Sequence, residues 1–328
     1  MNVARSFVAV LIAVSLACVL QPMASAQGTD AAPATFRVAI QRGLGFVLPD
    51  IVQQEHWLQD DYPNTKIVFT KLSGGSAVAT AMISGNIDLG VLGTPGFLIG
   101  WSRGVDWKLL TAASATNHLL NTMDPKIKTL HDIKPGMKIA LVDPESTQAM
   151  ILKKAAMDQL GSANALDSNI ITISQPDSLV ALLNGQVTAH LGTPPFQYIE
   201  LDKGAHTILK GSDVFGWPYS QNASVMMTSF YDKYPKFVED LFKYLERASD
   251  MVRTNPERAA LDEARAEGKP QFAATYKKYF MRPDNDYTIV LQKFLDFANF
   301  MRKIGILSKV PQTIKEIEFS PLQKYGGD

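Results

Sequence analysis

The sequence is poor in the residues that carry covalent and redox chemistry. Among 328 residues the one cysteine is Cys18, and it lies in a segment expected to be removed. A mature chain without thiols has no disulfide, no thiolate metal site and no cysteine nucleophile. The five histidines, at 56, 118, 131, 190 and 206, never fall at the i, i+4 spacing that sets two imidazoles on one helix face, so no metal is expected. Charge of one sign is lacking too. Lys+Arg 32 against Asp+Glu 32 leaves no basic excess for a phosphate backbone, and no nucleic-acid partner is expected. The chain has no GxSxG elbow, no phosphate loop ending in Gly-Lys-Ser/Thr and no HExxH. Gly43-Leu44-Gly45 begins like a dinucleotide fingerprint, but Leu48 stands where the third small residue is required for close helix packing. No cofactor and no enzymatic activity are expected.

What is present begins with a leader. Arg5, an apolar run from Phe7 to Leu20 and the small residues Ala24-Ser25-Ala26 match a secretory signal cleaved after Ala26. The run of about 14 residues falls short of the roughly 20 that a bilayer helix needs. A lipid-attached form through Cys18 is the alternative, with Ser15 standing where such sites usually carry Leu.

The remaining chain is longer than one core usually supports, so two lobes are expected. Strand patterns at Phe36 to Ile40, Lys66 to Leu72, Ile87 to Leu92, Trp107 to Ala112, Lys138 to Val142, Ile170 to Ser174, Thr188 to Leu191 and His206 to Leu209 alternate with helical ones. The helical patterns are Pro49 to Asp60, Ser76 to Ser84, Thr147 to Leu160 and Ser178 to Leu183. Such alternation predicts an α/β fold with mostly parallel sheets. After Tyr231 the pattern becomes helical throughout: Pro235 to Arg253, Pro256 to Glu267, Gln271 to Phe280 and Tyr287 to Ile304.

One turn is written twice. Gly93-Thr94-Pro95-Gly96-Phe97 follows a helix stop at Gly85 and a strand; Gly192-Thr193-Pro194-Pro195-Phe196 follows a stop at Gly185 and a strand. The order of parts marks two similar α/β halves, with Thr94 and Thr193 expected to face each other across a cleft. Ligands of open α/β sheets bind at the carboxyl ends of the strands. The loops there are rich in glycine, hydroxyls and helix starts, which favour anions through backbone N–H groups and the helix dipole. They are poor in general bases, so the chemistry is holding a ligand.

FRVAIQRGLGF from Phe36, SGGSA from Ser73, GNIDLGVLGTP from Gly85, the segment from Ile127 through DPESTQAM, and NGQVTAHLGTPPF from Asn184 together resemble the periplasmic solute-binding proteins of ABC importers for nitrate, sulfonates, taurine and thiamine precursors. The resemblance implies a type II periplasmic binding protein fold: two α/β lobes joined by two crossover segments, with a helical C-terminal tail. It divides the chain into 1–26 signal, 27–115 first part of lobe one, 116–222 lobe two and 223–328 the return to lobe one. The crossovers fall near Ser114 to Asn121 and Trp217 to Ser224. The implied ligand contacts are Gln41, Leu44, Gly45 and Phe46; Gly75 and Ser76; Thr94; Ser114; Ser146, Thr147 and Gln148; and Thr193. Arg42 joins them as a fork for an anion, and His118 and Trp217 as groups at the crossovers able to face the cleft. Each has a plainer role beside this one: Ser76 and Ser146 as helix caps, Thr94 and Thr193 as braces for proline turns, Phe46 as core, Arg42 as a solvated side chain, Trp217 as hinge packing. The implied partners are a small-molecule ligand, favoured as a sulfonate or other organic anion, and an inner-membrane permease with its ATPase, with the receptor a monomer. A neutral aromatic or pyrimidine ligand, or a sensory or accessory role on the same fold, is the second reading. The eukaryotic pyrimidine synthases related to this family use a cysteine-rich motif that the mature chain lacks.

Overall fold

The structure, a computed structural model, describes residues 31–328; the expected signal segment lies outside the described residues. Eleven strands run β1 (Thr35–Ile40), β2 (Lys66–Lys71), β3 (Leu89–Gly93), β4 (Trp107–Thr116), β5 (Leu119–Thr122), β6 (Ile139–Leu141), β7 (Ile170–Thr172), β8 (Ala189–Gly192), β9 (His206–Lys210), β10 (Asn222–Met227) and β11 (Asn285–Asp286). The helices are α1 (Val47–Gln54), α2 (Trp57–Asp61), α3 (Gly75–Ile83), α4 (Thr94–Ser102), α5 (Thr147–Leu160), α6 (Gln175–Leu183) and α7 (Phe196–Asp202). They continue with α8 (Ser212–Phe215), α9 (Thr228–Lys233), α10 (Pro235–Thr254), α11 (Pro256–Ala266), α12 (Ala273–Phe280), α13 (Phe294–Lys303) and α14 (Ser320–Gln323).

The strands form two sheets, β11-β4-β10-β3-β1-β2 and β7-β6-β8-β5-β9. In the first, β1 lies parallel to both β2 and β3 and is buried on both faces through Phe36, Val38, Ala39 and Ile40, as interior parallel strands are. The second repeats the plan, with β6 parallel to β7 and β8. The chain passes from the first sheet to the second between β4 and β5 and returns between β9 and β10. The strand that follows each passage is an antiparallel insert: β5 between β8 and β9, β10 between β3 and β4. The carboxyl ends of β1, β3, β6 and β8 therefore converge on one gap.

Two local expectations are corrected. The helix expected from Pro49 to Asp60 breaks at His56, which adopts a left-handed conformation (φ 58) that a right-handed helix cannot contain. The helix expected from Tyr287 to Ile304 begins only at Phe294. Before it the chain is extended, with Tyr287, Ile289 and Leu291 buried in alternation, the Ala112 N–H donating to Ile289 O at 2.8 Å and the Ser220 N–H to Gln292 O at 2.9 Å. Backbone partners on β4 and the crossover replace the helical ladder. The tail also reaches lobe two. The Tyr279 hydroxyl donates to Asp202 at 3.0 Å, that of Tyr198 to Asn285 at 2.9 Å, and Phe297 stacks on Phe215 with ring centres 4.0 Å apart. No helix of the described residues is long and apolar enough to cross a membrane.

Candidate functional site: a cleft between two lobes

The gap holds an inner cavity of about 30 Å³. From the first sheet it is lined by the loop after β1 (Gln41, Arg42, Phe46), the start of α3 (Gly75, Ser76) and Gly93 and Gly96 beside the first Gly-Thr-Pro turn. The second sheet supplies Val142, Asp143, Glu145, the start of α5 (Ser146, Thr147, Gln148), Gln175 and Thr193, and the returning crossover supplies Gln221 and Asn222. An outer cavity of about 400 Å³ adjoins it, sharing Gln41, Arg42, Val142 and Gln175 and adding Lys71, Ser73, Ser174 and Asp177.

The lobes touch across this gap. The Leu44 N–H donates to the Pro194 carbonyl at 3.0 Å and the Ser76 N–H to Asp143 Oδ2 at 2.9 Å. Two glycines permit close approach: a Cβ at Gly43 would lie 3.0 Å from the Pro194 carbonyl oxygen, and one at Gly93 would lie 3.2 Å from the Thr147 hydroxyl and 3.5 Å from its nitrogen. At Gly45 a Cβ would come within 2.8 Å of the Asn222 amide, so a bare backbone is required where the first loop meets the crossover. Both lobes also hold the crossover itself. The Gln221 carbonyl accepts from the Thr94 N–H at 3.2 Å and from the Thr147 hydroxyl at 2.9 Å.

The two helix starts differ. Ser146 caps α5, accepting from the Ala149 N–H at 3.2 Å, and its hydroxyl donates to the Asp143 carbonyl. The N–H groups of Thr147 and Gln148 have no partner among the described residues, as is usual for a first turn. At α3 the N-cap is Gly74, which offers no side chain. Asp143 accepts from Ser76 in its place, from the other lobe, and its second oxygen accepts from the Glu145 N–H at 2.8 Å.

Gln175 is the most informative side chain of the cleft. It is 5% exposed, its Oε1 accepts from both the N–H and the hydroxyl of Thr193 at 3.1 and 3.2 Å, and its Nε2 has no partner. A buried amide donor left unsatisfied costs about 1–3 kcal/mol. The two donors of Thr193 fix which end of the amide is the oxygen and leave Nε2 as the free donor.

Arg42 reaches back to Glu267 at 3.3 Å, and Glu267 also pairs with Lys71 at 2.5 Å. Behind them, Asp50, Glu263 and Glu267 bring carboxylate oxygens within 4.8 Å of one another, with Lys71 3.5 Å from Asp50. Burial pushes Asp50 up to about 6 against the pull of Lys71, and burial beside Asp50 and Glu267 raises Glu263 well above its ordinary value. For Lys71 the effect of burial is outweighed by Asp50 and Glu267, which hold it above its usual range. The cluster ties the floor of the cleft to α11.

Of the residues expected at the site, the fold brings together Gln41, Arg42, Phe46, Gly75, Ser76, Ser146, Thr147, Gln148 and Thr193. It places six elsewhere. Leu44 is core; Gly45 lies under the crossover; Ser114 donates to the Gly45 carbonyl at 3.2 Å. Thr94 is fully buried and its hydroxyl donates to the Ser220 carbonyl at 2.9 Å, so it does not face Thr193. His118 is fully buried against the Tyr219 hydroxyl at 2.9 Å, and Trp217 meets Tyr219 edge to face. These last four brace the crossovers. Sequence reasoning missed Asp143, Glu145, Gln175, Gln221 and Asn222. Asp143 and Glu145 sit in the DPES loop already singled out, so loop position was the signal available; Gln175 begins a helix after a strand and was open to the same inference.

A model of the NMT1-like family matches residues 44–264, more than half of the chain. The chain belongs to the NMT1-like family. An Escherichia coli (strain K12) protein named for binding aliphatic sulfonates is 24% identical over 267 residues, 79% of this chain and 80% of that one. The crystal structure of the Escherichia coli periplasmic aliphatic sulphonate binding protein matches with a TM-score of 0.66 and 19% identity, covering 89% of this chain and 99% of that chain. The alkanesulfonate-binding protein of Xanthomonas axonopodis pv. citri, bound to MOPS, matches at 0.69 and 20%, over 85% and 96%. The periplasmic nitrate-binding protein of Synechocystis PCC 6803 matches at 0.73 and 13%, over 89% and 88%. This NMT1-like chain thus has the two-lobed α/β fold of periplasmic binding proteins.

Proposed function

We propose that this NMT1-like protein is the periplasmic solute-binding component of an ABC importer, closing two lobes on a small organic anion, a sulfonate or carboxylate, and delivering it to a membrane permease with its ATPase. In this reading lobe one spans residues 27–115 and 223–328, lobe two spans 116–222, and the receptor acts as a monomer after loss of its signal. The observation that carries it is the Gln175 Nε2 donor: buried and unpartnered, on a side chain that lines a cavity walled by both sheets. An acceptor oxygen from a ligand satisfies it, and the open N–H groups at the start of α5 donate to a second oxygen. The names of the relatives support the solute class, since two of the solved ones are named for sulfonates. Because only the closed state brings both walls onto a ligand, binding favours closure.

The test is a thermal-shift screen of the full chain against sulfonates, nitrate, carboxylates and pyrimidines, since a ligand that binds the folded state alone raises its stability. A hit among the organic acids, weakened tenfold or more by Gln175→Ala and accompanied by compaction in small-angle scattering, is the expected result. A screen in which only pyrimidines shift the protein overturns the anion reading.

A further inference from the structure

The end of lobe two that is remote from the cleft carries a segregated charge. Strands β6, β7 and β8 are parallel and send their carboxyl ends toward the cleft, so their amino ends form a far pole. The segment between β5 and β6 lies across it. The Asn169 amide, just before β7, donates to the Lys134 and Met137 carbonyls at 2.8 Å. Beside β8 the Lys138 N–H donates to the Thr188 hydroxyl at 3.1 Å, and at the start of β9 His206 Nε2 lies 2.8 Å from the Ile127 carbonyl. On this pole Lys126, Lys128, Lys134, Lys138 and Lys203 are all exposed, and none forms an ion pair among the described residues.

The acids nearby are spent elsewhere. Asp124 accepts from the Lys126 N–H, and Asp132 from those of Lys128 and Thr129, each at 2.9 Å. Asp158, Asp167 and Asp202 pair with Lys154, Lys153 and Lys278. Residues 123–138 thus set four lysines against two aspartates in a chain whose charges otherwise cancel, Lys+Arg 32 against Asp+Glu 32.

We propose that the far pole of lobe two is a docking surface for an anionic phospholipid bilayer. The composition of the patch favours lipid over an acidic protein. Protein interfaces select arginine and aromatic side chains and avoid lysine, yet residues 116–222 contain no arginine, and residues 123–138 no Phe, Tyr or Trp. A lysine ammonium is a point charge on a flexible stem, suited to mobile headgroups that need no bidentate fork, and each one near the surface adds to the attraction. Met123, 38% exposed on the same segment, offers an apolar side chain to the interfacial layer. A bilayer at this pole lies at the opposite end of lobe two from the cleft and leaves lobe one free, so the lobes still close. The proposal is independent of what the cleft binds.

Co-sedimentation of the full chain with phosphatidylcholine vesicles containing about one-third phosphatidylglycerol tests it, at low salt and at about 0.5 M salt, where exposed charges are screened. The combined variant Lys126→Gln, Lys128→Gln, Lys134→Gln and Lys138→Gln is expected to partition about tenfold more weakly than wild type at low salt and equally at high salt. Any contribution of the leader is common to both proteins and cancels. A control variant, Lys66→Gln, Lys210→Gln, Lys269→Gln and Lys303→Gln, removes the same charge from exposed lysines on other surfaces, and is expected to stay within about twofold of wild type. Circular-dichroism melts establish that both variants fold. Partitioning unchanged in the pole variant, or equal losses in the two variants, overturns the proposal. Tighter binding to soluble polyglutamate than to the vesicles also overturns it, in favour of an acidic protein partner.

Discussion

The two Gly-Thr-Pro turns share a sequence and part in what they do. Thr94 is sealed, its N–H on the Gln221 carbonyl and its hydroxyl on that of Ser220, so it ties the first sheet to the returning crossover. Thr193 lies on the cavity wall and spends both its donors on Gln175. What separates them is where the next helix begins. After Gly93 the helix starts at Thr94 itself, which draws the threonine under the sheet edge; after Gly192 it starts at Phe196, which leaves Thr193 on the rim. A repeated motif marked equivalent places in two halves of the fold, and the helix register after it assigned the roles.

The sharpest way to separate the bracing region from the gripping one is acid. His118 belongs to the brace, and burial lowers its pKa to about 3. A histidine depressed from its ordinary value of about 6.5 contributes stability that is complete above that value and is lost as pH falls toward 3, at about 1.4 kcal/mol per pH unit for one group. Between pH 6.5 and 4.5 the wild type is expected to lose about 2–3 kcal/mol through this residue. Urea unfolding across that range, with His118→Gln for comparison, reads it as a difference in slope, so that titrations common to both proteins cancel. Identical slopes would remove His118 from the brace.

Much of this architecture was legible and some was not, for identifiable reasons. The β/α alternation predicted the parallel strands, because interior strands such as β1 must be apolar on both faces. From sequence β10 reads as a crossover, since Asn222, Ala223 and Ser224 are small or polar; their burial comes from neighbours on both sides, β3 and β4, that local sequence does not display. Tyr287, Ile289 and Leu291 do carry a period of two, but the strong apolar run that follows extends a helical pattern over them. At the site, hydroxyls after strands were found because their spacing is local. The acceptor for Ser76 comes from a residue 67 positions away, on the other lobe, and the orientation of Gln175 is set by Thr193, 18 positions away. Such pairings exist only in the folded chain.

A smaller effect tests the brace directly. Thr94→Val keeps the volume and removes the hydroxyl, leaving the buried Ser220 carbonyl without that donor. The cost is about 1–2 kcal/mol of unfolding free energy, measured by urea titration at neutral pH, with affinity for any ligand found in the screen changed less than twofold. A loss of affinity without a loss of stability would invert the comparison and put Thr94 in the cleft.

The smallest effect belongs to the other turn and is the most discriminating. Thr193→Val removes one of two donors from Gln175 Oε1, and the backbone N–H at 3.1 Å remains. The amide is then held by one hydrogen bond and is free to turn its oxygen toward the cavity in part of the population. Affinity is expected to fall about threefold, because a binding-competent state populated less of the time lowers the apparent affinity by that fraction. Stability should fall by only about 0.5–1 kcal/mol, the net worth of the lost hydroxyl bond, because the backbone N–H still satisfies the amide oxygen. Titration calorimetry on Thr193→Val beside Gln175→Ala separates orientation from contact: a variant as weak as Gln175→Ala would show that the threonine itself touches the ligand, and an unchanged affinity would show that one hydrogen bond suffices to aim the amide.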